Sequence, residues 1–85
     1  MQKPSLGRVV LALVEPTTNG GADIAPAVVV RVGAAHDDGS HTVNVKADLD
    51  SSTSPKWMTG VRLCPDEETA RAYDGAAAFW PPRAR

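Results

Sequence analysis

Four runs of β-forming residues, each closed off by turn chemistry, limit what this chain can fold into. They are Leu6–Val14 (LGRVVLALV), Ala27–Val32 (AVVVRV), Thr42–Leu49 (TVNVKADL) and Trp57–Cys64 (WMTGVRLC). Asn19-Gly20-Gly21, Asp37-Asp38-Gly39-Ser40 and Ser51-Ser52-Thr53-Ser54-Pro55 separate them. Strands this short and this regularly spaced predict a mainly β fold, with the sheet rolled onto itself as a small barrel. At 85 residues the chain makes one domain, residues 1–85, whose single core is thin.

Alternation assigns the faces. Val43, Val45, Ala47 and Leu49 alternate with Thr42, Asn44, Lys46 and Asp48, one face packed and one wet. In the second run, apolar on both faces, Val28, Val30 and Val32 are taken as inward. Val9, Leu11 and Leu13 oppose Val10, Ala12 and Val14 in the first run, and both sides can be covered. In the fourth run Trp57, Thr59, Val61 and Leu63 share one face, while Met58, Gly60 and Arg62 take the other. Gly60 inside a strand predicts a bulge. The predicted core is Val28, Val30, Val32, Val43, Val45, Leu49, Val61 and Leu63.

Asp38-Gly39 reads as a tight hairpin turn. The connections Glu15–Pro26 and Asp50–Lys56 read as mobile loops and as places for recognition. Pro65-Asp66-Glu67-Glu68 starts a helix, because proline suits the first turn and carboxylates favour the positive end of the dipole. Glu67 and Arg71 can pair on one face, and Gly75 can end the helix. The helix is expected to cover one open end of the barrel before Ala76–Trp80 returns as a short last strand.

The chemistry-bearing residues are sparse. Net charge is −1 and the lysines are scattered, which argues against duplex nucleic acid as a partner. Cys64 is alone, so there is no internal disulfide, and a reducing compartment fits. The Val9–Val14 run is too short to span a membrane. His36 and His41 flank a turn without the further ligands that zinc requires, and Asp48 and Asp50 lack the rest of a calcium loop. Cys64 has acidic neighbours, which disfavour a thiolate. The expectation is a protein with no catalytic site, no metal and no cofactor.

Recognition is placed instead on Trp57, delivered by the Asp50–Lys56 loop, with Arg62, Arg31 and Asn44 as the other binding candidates. Phe79, Trp80 and Pro81 are a large apolar load for a terminal strand, and predict an interface between copies in a homo-oligomer.

Gly7-Arg8-Val9-Val10, Pro26–Val32, Thr42-Val43-Asn44-Val45, Trp57–Val61 and Phe79-Trp80-Pro81-Pro82-Arg83 together resemble a family of small tailed-bacteriophage proteins, including those of actinobacteriophages. That resemblance spans nearly the whole chain and implies an SH3-like small barrel of phage origin, working in the host cytoplasm or in the virion. Relatives carry a His-Tyr pair in the first strand and a Trp-His-Trp-Pro ending. Here Leu11-Ala12 and Ala78-Phe79-Trp80-Pro81 stand in those places, so no site built on those histidines carries over. The expected function is a non-catalytic accessory protein that binds a phage structural protein or a host protein. The alternative is an oligomeric small-molecule binder that captures a nucleotide signal used in host defence.

Overall fold

A computed structural model describes residues 3–52 and 54–81; Thr53, Pro82 and Arg83, named above, lie outside the described residues. Five strands form a closed barrel in the order β1 (Val9–Leu13), β2 (Ile24–Ala35), β3 (His41–Ala47), β4 (Lys56–Cys64) and β5 (Ala77–Phe79), with β5 pairing back onto β1. All pairings are antiparallel except β4–β5. Among the described residues a 3-10 turn, Pro16–Thr18, follows β1, and the α-helix, α1 (Glu67–Ala72), sits in that parallel connection, which cannot be made by a tight turn. The predicted mainly β barrel, with a short helix before its last strand, is the observed fold.

The interior is narrow, as a five-strand closure requires, and it is filled by small and branched side chains. Val10 and Ala12 of β1, Ala25, Ala27 and Val29 of β2, and Val43, Val45 and Ala47 of β3 point inward. Leu49, Val61, Leu63 and Ala78 complete it. β3 therefore alternates as predicted, and β2 does not. Its inward residues are Ala25, Ala27 and Val29, whereas Val30 and Val32 are 39% and 38% exposed. Two physical causes account for the reversal. Three consecutive valines carry no alternation signal, and β2 pairs with β1 only as far as Val28, leaving residues 30–35 uncovered. Register shifts against β3, between Val29 and Arg31 and between Val32 and Ala35, add to the irregularity.

β2 also runs longer than the predicted Ala27–Val32, passing straight through Pro26. In an extended residue the N–H and C=O point to the same neighbouring strand. The Pro26 carbonyl accepts from the Asp48 N–H at 2.8 Å, just past the end of β3. The missing N–H of Pro26 thus faces that fraying side and costs the β1 ladder nothing.

A second core lies on the outer wall of the barrel. Cys64, Ala70, Ala77 and Phe79 are buried together, with Leu11, Leu13 and Ile24 packed against them. Each strand residue in this group is the sequence neighbour of an inward one, so β1, β4 and β5 are covered on both faces. The cover is α1, which lies on this wall instead of closing a barrel end. The Asp66 side chain caps it, accepting the Thr69 N–H at 2.8 Å, and Glu67 accepts from Arg71 Nε at 2.8 Å. The helix ends at Ala72, before Gly75, because Tyr73 already turns extended.

Candidate binding face

Trp57 stands second in β4, opposite Lys46 of β3. Lys46 is opposite Val28 of β2, and Val28 is opposite Val9 of β1. The neighbours of these residues, Val10, Ala27, Val29, Val45 and Ala47, all fill the barrel, so the four side chains line one row across its outer wall. Trp57 is 66% exposed and Val9 is 51% exposed. A ring this exposed does not plug a barrel end.

Arg31 and Asn44 are register partners one step along the same wall. Asn44 is partly committed to the backbone there, its Oδ1 accepting the Gly60 N–H at 3.0 Å. Gly60 has φ +63°, a left-handed conformation that glycine takes without strain, and the register shifts beside it. This is the predicted bulge, and its consequence is a change of parity. Met58 turns toward the core alongside Val61 and Leu63, while Trp57 and Arg62 share the outer wall. The expected opposition of Trp57 and Arg62 across the strand does not hold.

Arg62, opposite Thr42, is absorbed into the structure at the far end of that wall. Its Nη1 donates to Ser40 Oγ at 3.1 Å and lies 3.8 Å from Asp38 Oδ2. Its guanidinium stacks 4.8 Å from the Tyr73 ring centroid. These contacts fasten the β2–β3 turn to the segment after α1. Asp38 also accepts the Ser40 hydroxyl and the Ser40 N–H, which hold its carboxyl below the usual carboxylate range. The turn itself forms as predicted, with Gly39 at φ +88° and its N–H on the His36 carbonyl.

The terminal aromatics go to different places. Phe79, only 3% exposed, belongs to the second core of its own chain. Trp80 is half-buried against the barrel core, and the Arg8 guanidinium lies 5.2 Å from its ring centroid. Pro81 is exposed. The load read from the sequence as needing a second copy is received largely within the chain, because the outer wall of β1 supplies Leu11 and Leu13.

His36 Nε2 and Thr42 Oγ1 share a hydrogen bond of 2.8 Å, and among the described residues no three His, Cys, Asp or Glu side chains converge. Burial pushes the Cys64 thiol up, the reverse of what a nucleophile needs. No described helix is long and apolar enough to cross a membrane.

No protein-family model, curated protein or solved structure matches the chain. The outer wall itself carries the functional reading. Val28, expected in the core, lies half-buried on the outer wall, and Val9 and Lys46 were read only as strand residues; what unites the three with Trp57 is strand register, for which short-range pattern holds no signal.

Proposed function

We propose that the protein is a non-catalytic protein-binding module that recognises its partner through the outer wall centred on Trp57. The observation that carries this is a tryptophan two-thirds exposed on a strand rather than a loop, in one row with Lys46, Val28 and Val9 across the sheet. Backbone pairing orders the main chain at Trp57 before any partner arrives, and tryptophan is among the residues most enriched at binding hot spots. The resemblance to tailed-bacteriophage proteins makes a phage structural protein or a host protein the partner, met in the host cytoplasm or in the virion.

Truncating an exposed side chain changes stability by only about 0.5 kcal/mol, so Trp57→Ala separates binding from folding. Tagged wild-type and Trp57→Ala proteins, matched in melting temperature, are used to capture partners from infected cells and from disrupted virions. A partner held by the wild type and lost by Trp57→Ala is the expected result. Equal capture by both proteins moves the site elsewhere.

A further inference from the structure

Resting on the reading of this wall as a protein-binding surface, we infer that its occupant is a short acidic segment of a partner protein, with carboxylates flanking a large apolar residue. Lys46 stands in the row between Trp57 and Val28, Arg31 lies one step along the same wall, and both are exposed; Lys56, opposite the inward Ala47, takes the other face of β4. None of them takes part in a salt bridge among the described residues, where the bridging cations are Arg62 and Arg71. The one carboxylate that follows on the same face of β3 is Asp48, at its end. Of the other carboxylates, Asp66, Glu67, Glu68 and Asp74 lie at α1 and its flanks, with Asp23 bonded to Arg71. Asp37 and Asp38 lie in the β2–β3 turn, where Asp38 faces Arg62, and Glu15 and Asp50 lie in the loops before β2 and β4. A chain whose net charge is −1 thus presents a locally cationic, partly apolar strip.

Size decides what kind of partner fits. Four strands at about 4.8 Å spacing make the row about 14 Å wide, the span of a few residues of extended chain. A stable dimer or domain pair needs about 800 Å² from each partner, more than such a row offers. A symmetric second copy would also set this cationic strip against itself. Single-stranded nucleic acid would meet the cations, but stacking along a strand needs several exposed rings and the row has one. An acidic peptide segment meets both the charge and the apolar strip.

The test selects a random dodecapeptide library on the immobilised protein, then measures enriched peptides by anisotropy on wild type, Trp57→Ala, and the pairs Arg31→Glu/Lys46→Glu and Arg31→Gln/Lys46→Gln. Enriched peptides are expected to carry aspartate or glutamate beside an aromatic or large aliphatic residue. Their binding should weaken at least about fivefold on the glutamate pair, less on the glutamine pair, and fall as salt rises from about 50 mM to about 500 mM. Melting curves verify that every variant is folded. Neutral or basic peptides that still depend on Trp57 overturn the acidic partner and leave the binding surface standing. Peptides indifferent to Trp57, or none enriched, overturn both readings. Trp57-dependent binding of oligo(dT), or self-association lost in Trp57→Ala, assigns the wall to those occupants and overturns the inference.

Discussion

The side-chain amide of Asn19 clasps two loops that are thirty-one residues apart. Its Nδ2 donates to the carbonyls of Ala22 and Ile24, each at 3.0 Å, and its Oδ1 accepts the Asp50 N–H at 2.8 Å. Ser54 Oγ closes the second loop by accepting the Leu49 N–H at 2.9 Å. Glu15–Pro26 and Asp50–Lys56, which read as mobile connections, are therefore tied to each other, and the second enters β4 directly before Trp57.

Asn19→Ala removes three hydrogen bonds at a position only 5% exposed, and strands a backbone N–H and two carbonyls. The expected loss is about 2–3 kcal/mol, a large share of the roughly 5–10 kcal/mol such a domain holds. Thermal melting should show a fall of more than about 8 °C. Thr18→Ala is the control: its hydroxyl bonds only the Glu15 carbonyl at an exposed site, so its melting point should stay within a few degrees of wild type.

Adjacent residues of β2 should respond in opposite ways to the same substitution. Val29→Asp places a charge in the sealed barrel interior and should abolish folding, whereas Val30→Asp points a charge toward water and should melt cooperatively near the wild-type temperature. Circular dichroism of the two variants checks the assignment. A folded Val29→Asp protein contradicts the observed face of β2.

Acid stability follows from three carboxylates held below the ordinary value of about 3.9. Asp23 is lowered by its hydrogen bonds from Arg71, Asp38 by those from Ser40, and Asp66 by the Thr69 N–H it caps. A carboxyl with a lowered folded pKa binds protons more weakly in the folded protein than in the unfolded chain. Its contribution is complete above about pH 5 and is lost as pH falls through the folded value. Melting temperature should be flat from neutral pH to about pH 5 and decline below it. Asp66→Asn keeps a capping side chain; it should melt near wild type at pH 7 and show a shallower acid decline. An acid limb unchanged in Asp66→Asn removes that carboxyl from the explanation.

The second core makes Cys64 a reporter. Its thiol is buried beside Phe79 and its pKa is raised by burial, so a thiol reagent at about pH 8 should label it at the rate of opening, not the rate of a free thiol. Phe79→Leu loosens the same cluster, and labelling should accelerate. Phe79→Ala should destabilise by about 3–5 kcal/mol and leave much of the protein unfolded. If Phe79 instead served an interface between copies, Phe79→Leu would change the mass in light scattering and leave the labelling rate alone.

How far the sequence could be read depended on whether the signal was local. β3 alternates strictly between apolar and polar residues, so its inward face could be assigned by inspection. Asp66 at the helix start, the Glu67–Arg71 pair, the Gly39 turn and the Gly60 bulge are all short-range chemistry, and all are present. Trp57 was legible as a recognition candidate, and Arg31 and Asn44 share its wall. Arg62 was not legible as a clasp, because Ser40, Asp38 and Tyr73 reach it from other parts of the chain.

By itself, then, the sequence determined the strands, the turns between them and their closure into one small barrel, since period-two patterning and turn residues act over a few positions. Tertiary structure alone decided which face of β2 is buried, that Met58 faces the core while Arg62 shares the outer wall with Trp57, and that Phe79 has a home in its own chain. A single extra residue at a bulge inverts every later side chain, and an apolar residue is core or surface according to which distant strand covers it. Both depend on register between segments far apart in the chain, and pairing in space sets that register.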